Sequence, residues 1–99
     1  MIIYNETIIV EETTHQEWLT WIQQTHIPKV METGLFTSFR ILTVLDSPNE
    51  GVTYCIQYDA ENMDNVGTYY NNHHPDIQAA HQQKFENKFV MFSTLMQEV

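Results

Sequence analysis

The sequence predicts an α+β fold of six elements in the order βαββαβ, an antiparallel sheet with two helices on one face. Three observations predict it. Four runs rich in Ile, Val, Thr, Phe and Tyr read as strands, over residues 2–11, 35–46, 52–60 and 88–99. The two long segments between them place apolar residues three and four apart, the helical period. The chain is 99 residues long with 42% hydrophobic residues, enough for one core and one domain over residues 1–99.

The first strand is "IIYNETIIVE". The following "TTHQE" has the form of a capping box, in which Thr14 accepts from the backbone of Glu17 and Glu17 reaches back. A helix then runs from about residue 15 to residue 32. Trp18, Trp21, Ile22, His26, Val30 and Met31 form its apolar stripe, and Gly34 is the expected left-handed stop. "LFTSFRILTVLD" and "VTYCIQYDA" are joined by "SPNEG", a turn with Pro48 and Gly51, and make a hairpin. The second helix starts near Asn62 or Met63. Its pattern runs through Met63, Val66, Tyr69, Tyr70 and His73 to Ile77, Ala80, His81 and Phe85. "KFVMFSTLMQEV" is the last strand. Two strand–helix–strand units of about fifty residues are the split βαβ, or ferredoxin-like, plan.

Charge excludes whole classes of partner. Thirteen Asp and Glu stand against four Lys and Arg, a net charge of −9. Lys29, Arg40, Lys84 and Lys88 are scattered, so no basic stripe is available for phosphates or for an anionic membrane surface. The chain is expected to contact neither nucleic acid nor membrane. Its acidity is read as solubility. The single cysteine, Cys55, lies mid-strand and cannot form an internal disulfide; it reads as a buried, inert thiol. The sequence opens on a strand, without a basic segment, a long apolar run or a cleavage site, so the expected location is cytoplasmic.

The strands do not alternate cleanly between apolar and polar. Phe89, Met91 and Leu95 stand on one side of the last strand, and Val90, Phe92 and Met96 on the other. Leu42 and Val44 oppose Phe39, Ile41 and Leu45 in the second; Tyr4, Ile8 and Val10 oppose Ile3 and Ile9 in the first. Both sheet faces read as apolar, and helices cover only one. A second copy related by a two-fold axis is the simplest cover for the other, which predicts a homodimer through the sheet face.

Each helix carries a histidine near a proline: "THIPKV" and "NHHPDI". A proline inside a helix cannot donate to the carbonyl four residues back, here Gln24 for Pro28 and Asn71 for Pro75. Each should kink or restart its helix, Pro75 within the first turn of a new piece. A histidine beside such a break is either bonded to a loosened carbonyl or part of a pocket. His26 and His81 continue the apolar stripes and are the candidate general bases, with Trp18, Ile22, Tyr70 and His73 as candidate ligand contacts. His15 is expected to be solvated, and His74 to cap. His73 and His81 would be ~12 Å apart along one helix, too far for one metal ion, and no metal site is expected. Gly-rich phosphate loops and serine nucleophile motifs are absent. The carboxylates read as isolated on polar faces.

In this topology, with His26-Ile27-Pro28 on the first helix, the chain resembles the dimeric α/β-barrel superfamily, whose EthD-like members carry a His-x-Pro there. "WLTWIQQTHIPKVMETGLFTSFRIL" and the closing strand are similar to a family of small bacterial proteins known only as a domain of unknown function. The superfamily includes cofactor-free monooxygenases, muconolactone-isomerase-like enzymes and haem-degrading proteins. In the haem-degrading branch an Asn on the first strand acts with a Trp and a His on the second helix. Asn5 and His81 match two of these, which makes Asn5 a further candidate ligand contact. No tryptophan lies on the second helix, so haem is not expected, and no cofactor is called for.

Two functional readings follow. One is a small-molecule pocket between sheet and helices for a small apolar or aromatic ligand, with cofactor-independent proton-transfer or monooxygenase-like chemistry led by His26 or His81. The other is a non-catalytic module for dimerisation or partner docking, motivated by the lack of a complete catalytic constellation in the sequence.

Overall fold

The computed structural model describes residues 1–99. Strand β1 is Ile2–Val10. Helix α1, His15–Trp21, passes through a π-helical turn, Ile22–His26, into α2, Ile27–Glu32. Strands β2, Ser38–Thr43, and β3, Val52–Ala60, precede helices α3, Met63–Asn72, and α4, His74–Lys84. Strand β4 is Phe89–Gln97. The sheet order is β2-β3-β1-β4, antiparallel throughout, which is the ferredoxin-like α+β plan.

Register fixes what each face carries. Tyr4 lies opposite Tyr58 and Leu95, and Ile8 opposite Tyr54 and Met91. Since side chains alternate, Tyr4, Glu6, Ile8 and Val10 share the helix-covered face with Tyr54, Ile56, Tyr58 and Ala60. All eight are buried. The helix layer meets them with Trp18, Ile22, Ile27 and Val30 from the first segment and Val66, Tyr69 and Phe85 from the second. Phe36, just before β2, closes the core against Tyr4, Tyr58 and Tyr69.

Both proline expectations have a structural counterpart. Before Pro28 the chain widens to a π turn, in which Ile27 N–H reaches back five residues to the Ile22 carbonyl. Pro28 then sits in the first turn of α2, where a missing N–H is harmless. At His73 the backbone leaves helical geometry (φ −122°, ψ −39°), and Pro75 opens α4. Gly34 ends α2 at φ +73°, and Gly51 takes φ +87° against the backbone of Val10.

Several local expectations are corrected. Thr14 is the α1 N-cap, but it keeps φ −110° and ψ −18° and its side chain makes no capping bond, so the box does not form. The side chain that caps is Asn62, whose Oδ1 accepts from Asn65 N–H at 2.9 Å. β2 is six residues long rather than twelve, because Leu35–Thr37 belong to the α2–β2 connection and the chain turns away after Thr43. His15 is half-buried, not fully solvated, and its Nδ1 lies 2.8 Å from the Tyr54 hydroxyl.

The open sheet face is less uniform than the sequence suggests. Ile3, Ile9, Leu42, Val90, Phe92 and Met96 are apolar, but they flank a polar strip of Asn5, Thr7, Cys55, Gln57, Arg40 and Asp59. Arg40 and Asp59 form an ion pair there at 3.1 Å. Cys55 is half-buried, 3.6 Å from the Thr7 hydroxyl. Phe92 and Val90 are 57% and 62% exposed in the single chain. No helix is long and apolar enough to cross a membrane.

Candidate functional site

The interior between sheet and helices holds a buried polar cluster, and its centre is a residue the sequence reading passed over. Glu6 projects from β1 into the core and is 1% exposed. His26, at the end of the π turn, is 2% exposed and His81 of α4 is 0% exposed. Glu6 Oε1 and His26 Nε2 are 3.8 Å apart. The His26 and His81 ring centroids are 5.1 Å apart. The two strand–helix–strand halves thus bring their histidines together beside one carboxylate.

Each member is held from outside the cluster. The Tyr4 hydroxyl donates to Glu6 Oε2 at 3.1 Å. Trp18 Nε1–H donates to His81 Nε2 at 2.9 Å. The His81 ring stacks on Phe89, with centroids 4.0 Å apart and planes 6° apart, and on Trp21 at 5.7 Å. Trp21 also packs against His26 and, edge-on, against Phe85. These aromatic walls exclude water and fix ring orientation.

Burial sets the protonation states. Desolvation, and then the neighbouring His26, lower the His81 imidazole to about 3, so it is neutral at ordinary pH. Burial, and then the charge of Glu6, push the Tyr4 and Tyr69 phenols well above their usual range, and Tyr58 likewise. All three therefore stay protonated as donors around the carboxylate. His74 is lowered by burial, with Glu6 pulling the other way.

Many polar atoms here have no protein partner: Glu6 Oε1, both His26 nitrogens, His81 Nδ1, and the Tyr58 and Tyr69 hydroxyls. Buried polar groups are ordinarily hydrogen-bonded, and an unmade bond costs about 1–3 kcal/mol. A carboxylate, an imidazole beside it and a neutral imidazole facing them can exchange a proton and steady the charge that results.

The candidates named from sequence divide. Trp18, Ile22, His26 and His81 meet in this interior. Asn5 does not, because its neighbours Tyr4 and Glu6 point inward; it lies on the open face, bonded to Thr7 Oγ1 at 3.0 Å. Tyr70 is 49% exposed and stacks on His74 at 4.5 Å, while Tyr69 takes the inward position. His73 sits at the α3–α4 break, on an open cleft of about 290 Å³ with Lys29, Glu32 and Asp76. His74 makes no cap bond: the α4 cap position is His73, and neither side chain closes the helix end. The reading of isolated surface carboxylates is corrected by Glu6. A larger open cleft, about 720 Å³, lies beside Glu11, Glu12, Glu50 and Lys88; Phe89, which stacks on His81, forms part of its lining.

The fold has wide structural kin at low identity. An ethyl tert-butyl ether D (EthD) family protein from Bacillus halodurans superposes with a TM-score of 0.69 at 13% identity, covering 100% of both chains. SnoaB, a cofactor-independent oxygenase from Streptomyces nogalater, gives 0.69 at 10% identity over 98% of this chain and 91% of its own. A dimeric ferredoxin-like protein from an uncultured marine organism gives 0.68 at 12% identity over 99% and 96%. At these identities the likeness is one of fold. No curated protein matches the sequence. The sequence matches a family pattern from end to end, residues 1–99, and the chain therefore belongs to the family described as Domain of unknown function (DUF4286).

Proposed function

We propose that the chain is a small-molecule protein whose interior, between sheet and helices, carries out proton transfer without a cofactor. One observation carries this reading: Glu6 and His26 face each other at 3.8 Å in the core, each with unpartnered polar atoms. A structural ion pair would be expected to satisfy its own lone pairs and N–H groups. This pair leaves them unmet, and it is backed by a second, neutral imidazole. His26 is the group that takes a proton from a small apolar or aromatic substrate, and Glu6, 3.8 Å away, balances the charge that results. SnoaB, with the same fold, is a cofactor-independent oxygenase; an abstracted proton is the step such chemistry would share with simple isomerisation. Deuterium uptake from D2O into the methyl group of acetophenone tests the reading. Wild type should exceed buffer, and Glu6→Gln should fall back to the buffer rate; equal rates for both proteins would remove it.

A second reading rests on the open sheet face. Phe92, Val90, Leu42 and Met96 are exposed there in the single chain, and a ferredoxin-like neighbour of the same fold is dimeric. We infer that a second copy covers this face, its polar strip pairing across the two-fold axis. Dimerisation without any proton exchange would mark the chain as a non-catalytic dimerisation or docking module instead.

A further inference from the structure

We infer that Trp18 is a positioning residue for the interior site: its indole N–H keeps the facing nitrogen of His81 bare, so that His81 carries its proton on Nδ1 and serves as a hydrogen-bond donor to a ligand oxygen, not as a base. The inference rests on the proton-transfer reading above for its use, but not for its geometry.

An indole nitrogen only donates. The Trp18 Nε1 to His81 Nε2 distance is 2.9 Å, so Nε2 must present its lone pair. A neutral imidazole has one N–H, which then belongs to Nδ1. The ring cannot turn over readily, since Phe89 stacks on it at 4.0 Å and Trp21 at 5.7 Å. Burial separately keeps the ring neutral across ordinary pH. Nδ1 is buried and has no partner in the protein. An N–H donor held in the core is satisfied only by an acceptor from outside the protein's own side chains, which a ligand oxygen can supply.

The cluster is therefore polarised. Glu6 and His26 form its accepting side, and His81 Nδ1–H its donating side. The matching ligand class is an enolisable carbonyl compound. His26 removes the proton α to the carbonyl, the C–H electron pair moves into a C=C bond, and the carbonyl π pair moves onto oxygen. His81 Nδ1–H bonds that oxygen and gives up no proton. Return of the proton from His26, at the same or a conjugated carbon, restores the balance without oxidant or cofactor.

Long-range ¹H–¹⁵N correlation on ¹⁵N-labelled protein reads the tautomer directly. From about pH 5 to about pH 8, wild-type His81 should show a protonated Nδ1 and a bare Nε2, with a through-bond coupling between Trp18 Nε1 and His81 Nε2. Trp18→Phe should abolish the coupling and move both nitrogens toward a tautomer mixture. A protonated Nε2 or a mixture in wild type, or no change in Trp18→Phe, would overturn the inference; the coupling is read in wild type and does not depend on the variant folding. With carbonyl-¹³C acetophenone as probe, wild type should shift the carbonyl signal downfield and His81→Phe should not; no shift with wild type would overturn the donor role. Failure of the proton-transfer reading would look different: the tautomer and carbonyl shift would persist while deuterium uptake stayed at the buffer rate.

Discussion

His26 and Glu6, twenty residues apart in sequence, meet in the core with Nε2 and Oε1 separated by 3.8 Å and both side chains 1% exposed. Removing one member of a buried polar pair leaves the other without its neighbour. His26→Leu should therefore destabilise the fold by about 1–3 kcal/mol, and the double variant Glu6→Leu/His26→Leu by clearly less than the sum of the two single changes. Urea unfolding of the four proteins measures the coupling. Additive losses would show that the two groups do not interact.

Stability should fall in acid through His81. Its folded value, about 3, lies below the ordinary histidine value of 6.5. Between those limits the unfolded chain binds a proton that the folded chain refuses, so stability is complete above about 6.5 and is lost as pH falls toward 3. The slope in that window is up to about 1.4 kcal/mol per pH unit. His74, also lowered by burial, acts in the same direction. The groups around His81 are His26, Trp18, Trp21, Phe85 and Phe89. His81→Gln keeps an acceptor for Trp18 and should flatten the acid slope of unfolding free energy; an unchanged slope would assign it to other groups.

Phe92→Glu tests the open face. Wild type should sediment at twice 11.7 kDa, and the variant, with a charge at an exposed apolar position beside the polar strip, at the single-chain mass. A wild-type particle of one chain's mass at micromolar concentration would remove the dimer.

The two left-handed glycines should respond unequally to alanine. Gly34, at φ +73° with open space around it, should lose about 1 kcal/mol. Gly51, at φ +87°, would also press its new Cβ into the Val10 carbonyl, and its loss should be larger. Thermal unfolding of both variants compares them; a smaller loss at Gly51 would contradict the close approach.

The helix caps separate in the same way. Asn62→Ala should cost about 1 kcal/mol, since its side chain bonds Asn65 N–H. Thr14→Ala should cost no more than a few tenths, because no capping bond exists there to lose. Similar losses at both would show that the Thr14 box forms in solution.

The strands, helices and pairing plan were legible because each rests on a local period, and four runs of β-branched residues with two three-four stripes admit few arrangements. The inward histidines were legible for the same reason: His26 continues Trp18 and Ile22, and His81 precedes Phe85 by one turn. Glu6 carried a signal too, since it shares parity with Tyr4, Ile8 and Val10, yet an acidic side chain in that series reads as an interruption unless its partner is known. That partner lies in another element, and strand–helix distances are tertiary information. Asn5 was placed by family likeness against its own parity. Tyr69 and Tyr70 both fit the helical spacing from Val66, at three and four residues, and only the packing of α3 decides that Tyr69 turns inward. Thr14 had the right neighbours for a cap but not the extended backbone that a cap needs.

The π turn over Ile22–His26 adds one residue to a helix that otherwise advances about 100° per position. Were the same residues wound as an uninterrupted α-helix, everything beyond the turn would be rephased by about 100°, more than a quarter revolution. The imidazole would then face solvent or backbone instead of Glu6. The wider turn is thus what lets one continuous rod present Trp18 to one half of the molecule and His26 to the other, and its loss should silence the interior while leaving the outline of the protein almost unaltered.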